Sequence, residues 1–156
     1  MFKLQRILFP SDFSELSLHA LGFARSLAET YRADLHVIHV VDEACQYWMA
    51  VGPNTLPVGP PVEELVAAAR EACKRLVAEH LGDTTLHIDT EVLTGRPFME
   101  IIRYARDEHF DLIVLGTHGR SGLKHALLGS VAEKVVRKSH CPVLTIRHPE
   151  HDFVMP

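Results

Sequence analysis

The chain has 156 residues and a formal charge of −4, with 47% apolar and 23% charged residues. This balance suits a single globular domain, 1–156, with a substantial buried core, and offers no basic field for nucleic acid or anionic lipid. No apolar run approaches the ~20 residues that span a bilayer, and MFKLQRILFPSDF has too short a hydrophobic stretch for a secretory signal.

Arg6 to Phe9 (RILF) is a short β-rich run that stops at Pro10. Glu15 to Thr30 reads as a helix with Leu16, Ala20, Phe23, Leu27 and Ala28 on one face. Asp34 to Val41 (DLHVIHVV) is β-branched and largely apolar, the pattern of a strand buried on both faces. Asp42 to Pro61 is a Gly- and Pro-rich connection containing Tyr47, Trp48 and Met49, which form a lid, a partner surface or part of the molecule's own core. Val62 to Leu81 repeats Leu65, Ala69, Cys73, Leu76 and His80 at helical spacing. Leu86 to Leu93 alternates Leu86, Ile88, Thr90 and Val92 with polar neighbours, as a half-exposed strand near a sheet edge does. Phe98 to Glu108 is helical, Leu112 to Leu115 a buried strand, Ser130 to Ser139 a helix and Val143 to Arg147 a last strand.

Five strands alternating with four helices predict an α/β fold, a parallel sheet with helices on both faces. Right-handed crossovers favour the doubly wound order 3-2-1-4-5. The winding direction then reverses between strands 1 and 4, and ligands of such sheets bind beyond the carboxyl ends of the strands at that switch point. Two loops meet there. One is Pro10-Ser11-Asp12 and its continuation; the other leaves strand 4 at Leu115 and runs GTHGRSGLKHALLGS, Gly116 to Ser130.

Glycine lets a ligand approach backbone N–H groups closely. Ser130 to Glu133 reads S-x-x-E, a capping box that predicts Ser130 as the N-cap of the last helix. The N–H groups of Val131 and Ala132 would then lack intrahelical acceptors and, with the helix dipole, form an anion site. His118 lies inside the loop as a candidate phosphate contact, and Arg120 and Lys124 would add positive charge. Neither G-x-x-x-x-G-K-[ST] nor G-x-G-x-x-G occurs, which excludes the P-loop and the dinucleotide fingerprint. The spacing present is G-x2-G-x9-G-[ST], in Gly116, Gly119, Gly129 and Ser130. Chance produces it in roughly one chain of this length in two hundred, so it is moderately specific.

With these motifs in place, nearly the whole chain resembles the universal stress proteins. The matching stretches are ILFPSDFS, LHVIHVVD, GRP at Gly95 to Pro97, and DLIVLGTHGRSGLKHALLGSVAEKVVRKSHCPVLTI. The glycine spacing resembles that of the ATP-binding subgroup. The resemblance implies ATP, with Mg²⁺, as the ligand. It places Asp12 against the adenosine, Val40 around the adenine, and Gly116, Gly119, Gly129, Ser130 and Val131 on the ribose and phosphate side. Ala132 departs from members with a hydroxyl residue there, which weakens phosphate binding without removing the backbone N–H. Many members of the family dimerise through the last strand. Here Pro142 opens a strand that occupies the uncovered edge of the predicted sheet, so a homodimer is expected.

Other readings compete at several of these positions. Asp12 to Glu15 also fits a capping box, so Asp12 either caps the first helix or meets the ribose or base end of a nucleotide; a carboxylate beside the triphosphate would be repelled. The eleven histidines show no H-E-x-x-H or Cys/His ligand spacing. His39 falls in the predicted pocket wall, where a packed histidine is commoner than a catalytic one. Cys45, Cys73 and Cys141 form no C-x-x-C pair, which points to reduced thiols and a cytoplasmic protein. Three functions remain open: a regulatory ATP-binding domain whose nucleotide state alters a protein partner, a slow Mg²⁺-dependent ATPase or phosphoryl-transfer enzyme, and a nucleotide-independent interaction or chaperone-like protein. Efficient catalysis is not expected, because no second carboxylate accompanies Asp12.

Overall fold

The computed structural model describes residues 3–42, 60–117 and 128–147. Strands β1 (Arg6–Pro10), β2 (Asp34–Val41), β3 (Ile88–Thr94), β4 (Leu112–Gly116) and β5 (Val143–Ile146) alternate with helices α1 (Glu15–Tyr31), α2 (Val62–His80), α3 (Pro97–Asp107) and α4 (Ser130–Lys138). The sheet is wholly parallel in the order β3-β2-β1-β4-β5, as expected. Among the described residues no helix is long and apolar enough to cross a membrane.

The central strands are apolar on both faces because helices cover both. Ile7, Phe9, Leu35, Val37 and Val114 face α1 and α2, where Ala20, Leu21, Ala24, Ala28 and Leu76 meet them. Leu8, Ile38, Ile113 and Leu115 face α3 and α4 through Ile101, Ala105, Ala132 and Val135. The alanine-rich stripe of α1 lets its backbone approach the sheet closely. This stripe is rotated from the predicted face: Leu16 and Leu27 are only half-buried and Phe23 is 46% exposed, packing edge-on against His19. In α2, Ala69, Cys73 and Leu76 are buried as expected, whereas Leu65 is half-buried and His80 lies at the solvent-facing end. Edge strand β3 begins at Ile88, and of the predicted apolar set only Val92 is fully buried; Thr90 is exposed.

Burial pushes the Cys73 thiol up to about 11 and raises that of Cys141, so these two free cysteines stay thiols at neutral pH.

One buried polar group sits on β2. His36 is enclosed beside the Phe110 ring, with Nε2 3.3 Å from Asp89 Oδ2. Burial holds its imidazole below the ordinary range, and Asp89 only partly opposes this. The unfolded chain therefore takes up this proton first. The contribution of neutral His36 is complete above the unfolded value of about 6.5, and it is lost as the pH falls from there through the lower folded value. Thermal midpoints from about pH 7 to pH 5 should fall more steeply for the parent than for His36→Leu. Parallel midpoint curves would remove His36 from the acid sensitivity.

Candidate functional site

The β1–α1 turn is built from short hydrogen bonds that its sequence makes available. Ser11 donates its backbone N–H to the Ile38 carbonyl at 2.8 Å, which ties the turn to the end of β2. Asp12 Oδ1 accepts from both Ser14 N (3.0 Å) and Ser14 Oγ (2.6 Å). Ser14 Oγ in turn accepts from Ser17 N at 3.2 Å and is the N-cap of α1. Asp12 is therefore not the helix cap that D-x-x-E suggested; it holds the residue that is. Between them Phe13 has φ 62°, a left-handed conformation that costs a non-glycine residue about 1–2 kcal/mol. Its ring stacks on His39 at 4.6 Å and 28°, and His39 Nδ1 lies 2.8 Å from the Ser11 carbonyl oxygen.

Across the switch point, Gly129 donates its N–H to the Thr117 carbonyl at 2.6 Å and is itself the N-cap of α4. This corrects the expectation that Ser130 caps the helix. The first helical hydrogen bond runs from Glu133 N to the Gly129 carbonyl, and the Glu133 carboxylate pairs with Arg137 at 3.1 Å instead of reaching back. The shift by one residue puts three N–H groups, of Ser130, Val131 and Ala132, in the first turn without intrahelical acceptors. Their partial positive charge and the helix dipole favour an anion.

A cavity of about 330 Å³ opens between these two structures. Pro10, Ser11 and Asp12 line it from the β1–α1 turn, Val40 from the end of β2, Leu115 and Gly116 from β4, and Gly129, Ser130, Val131 and Ala132 from the start of α4. The structure thus gathers these ten candidates around one space. The remaining three, His118, Gly119 and Arg120, lie outside the described residues, as do Lys124 and Tyr47 to Met49. The wall also contains Ser17, Ile38, Ile101 and Thr117, which were not site candidates, together with Pro97 of the GRP turn and His39. Ile38, Val40, Pro97 and Ile101 give the lining apolar surface, and the first turn of α4 adds backbone N–H groups. A flat apolar group at one end and an anion at the other would both be accommodated.

The profile of the universal stress protein family matches residues 3–147. The chain belongs to the universal stress protein family. Universal stress protein MJ0531 of Methanocaldococcus jannaschii is 38% identical, over 95% of this chain and 85% of its own. The solved structure of MJ0577, from the same organism, superposes with a TM-score of 0.77 at 31% identity, over 96% of this chain and 99% of that one. A universal stress protein solved in complex with cAMP matches with a TM-score of 0.63 at 25% identity, over 93% of this chain and 98% of that one.

Within this universal stress protein fold, the residues that motif reading missed enter the cavity from a distance. Ser17 is a buried residue of α1 whose Oγ meets Ser11 Oγ at 2.8 Å, and Ile101 comes from the second turn of α3. The folded sheet and helices bring them into one cavity with Gly116 and Gly129. Pro97 carried a signal in the GRP turn, where Gly95 has φ +134° and donates to the Val41 carbonyl at 3.0 Å.

Proposed function

We propose that the protein binds ATP, accompanied by Mg²⁺, as a regulatory stress-response module of the cytoplasm whose nucleotide state alters contact with a protein partner. The observation that carries this reading is the cavity at the switch point, lined both by apolar side chains and by the open N-terminus of α4. Adenine would lie against Val40, Ile38, Pro97 and Ile101. Asp12 would face the ribose, since its charge would repel the phosphates. The phosphates would lie over Gly116 and Gly129 against the N–H groups of Ser130, Val131 and Ala132, with His118, Gly119 and Arg120 on the same side. Mg²⁺ would arrive on the nucleotide's own phosphate oxygens, as magnesium usually does at nucleotide sites. A relative bound to cAMP is consistent with an adenine nucleotide here.

A slow ATPase is the second reading, favoured by the presence of Asp12 in the cavity. Against speed, Asp12 is the only carboxylate among the described lining residues, and one of its oxygens is already held by Ser14. Transfer needs placed metal ligands and a group that orients the nucleophile. Incubation with Mg²⁺-ATP followed by chromatography of the nucleotide decides between them. The expected result is stoichiometric retention at about micromolar affinity. Turnover of several per second, ordinary for enzymes, would overturn the binding module; nucleotide that is never retained would overturn both readings.

A further inference from the structure

We propose that His39 is a positioning residue of the cavity: it clamps the turn that carries Asp12 and so sets where that carboxylate meets a ribose. The proposal rests on the nucleotide reading above and deepens it. His39 stands on β2, a strand paired on both sides and hence a fixed reference. Its Nδ1 faces the Ser11 carbonyl at 2.8 Å. A carbonyl can only accept, so Nδ1 carries the proton. Its ring face covers the ring of Phe13 at 4.6 Å. The two contacts therefore fall on the residues immediately before and after Asp12.

The choice of residue at position 13 points to the same role. Glycine or asparagine holds a left-handed backbone more readily than an aromatic. What the aromatic adds is a surface for the imidazole to grip. The strained conformation is maintained by that stack and by Phe13 N donating to Ser11 Oγ at 3.1 Å. With the turn held this way, Ser14 receives the Asp12 carboxylate through Oδ1, and the direction of the carboxylate follows from the strand beneath it. His39 touches the cavity wall, yet its proposed effect passes through Asp12.

The test compares ATP with 2′,3′-dideoxy-ATP by calorimetry, in the parent, Asp12→Ala, His39→Phe and His39→Asn. Phenylalanine keeps a ring for the stack but removes the donor; asparagine returns a donor near the place of Nδ1. His39→Phe should weaken ATP roughly tenfold, the effect of one lost buried hydrogen bond, while leaving the dideoxy nucleotide within about twofold of the parent. Asp12→Ala should erase the same preference for ribose, and His39→Asn should recover most of it. Unchanged preference in His39→Phe, or an equal loss for both nucleotides, would overturn the proposal. Amide hydrogen exchange of nucleotide-free protein gives an independent arm. The Ser14 N–H, bonded to Asp12, should exchange roughly tenfold faster in His39→Phe, and an unchanged rate would overturn the clamp. A parent that binds neither nucleotide but shows the exchange effect would sink the nucleotide reading and leave the clamp standing.

Discussion

Gly129→Asp should abolish ATP binding while leaving the fold intact. The backbone at this position, φ −69° and ψ 161°, is one that any residue adopts, and its N–H bond to the Thr117 carbonyl does not depend on the side chain. Aspartate is also a good N-cap, so stability should change by only a few tenths of a kcal/mol. The new carboxylate would project at the rim of the cavity, beside the N–H groups offered to phosphate. Two like charges about 4 Å apart at an effective dielectric of 20 repel by about 4 kcal/mol, and screening still leaves a loss of more than roughly a hundredfold. Gly129→Asn, of similar size and uncharged, should lose much less. Titration calorimetry with thermal melts as a control checks this, and parent-like ATP affinity in Gly129→Asp would place the phosphates elsewhere.

The second large effect concerns assembly. We propose a homodimer through β5, whose outer edge has no partner strand within the described chain. The carbonyls of Pro142 and Ile146 accept from Ile113 on β4 and from Thr117 just beyond it, so alternation turns the amides of Val143 and Thr145 outward. Leu144 adds an apolar side chain, 36% exposed. A twofold axis would pair two such edges antiparallel into one continuous sheet. Leu144→Lys with Thr145→Pro adds charge and removes an outward donor without touching the ladder to β4. The double variant should sediment as a folded monomer at concentrations where the parent is a dimer. A variant that stays dimeric would place the interface elsewhere. Val143 is a poorer target, because its side chain packs against the core beside α4.

The architecture was legible because its signals are repeated. Three central strands are apolar on both faces, four helices intervene, and handedness then permits few orders. What failed was local. Both S-x-x-E and D-x-x-E look like capping boxes, yet at each site another residue starts the helix. At α4 the Gly129 carbonyl takes the first bond and Glu133 turns to Arg137; at α1 Ser14, two residues beyond Asp12, accepts from Ser17 N and Asp12 becomes its buttress. A motif lists which groups can pair but does not fix which competitor wins. The cavity was legible in part for a related reason. Its loops announce themselves through glycine, proline and aspartate, whereas Ser17, Ile38 and Ile101 are ordinary helix and strand residues that matter only once the sheet has formed.

The bond between Gly129 and Thr117 has a bearing on how this region can vary. Thr117 and Gly129 are fastened directly to each other at 2.6 Å, so a chain of any length between them closes a ring whose ends are fixed by the sheet and by α4. For such a ring the entropic cost grows only with the logarithm of its length, and doubling it costs about 0.6 kcal/mol. Insertions there should leave the first turn of α4 where it is. The amides of that turn thus take their place from β4, whatever the number and charge of the residues between positions 117 and 129.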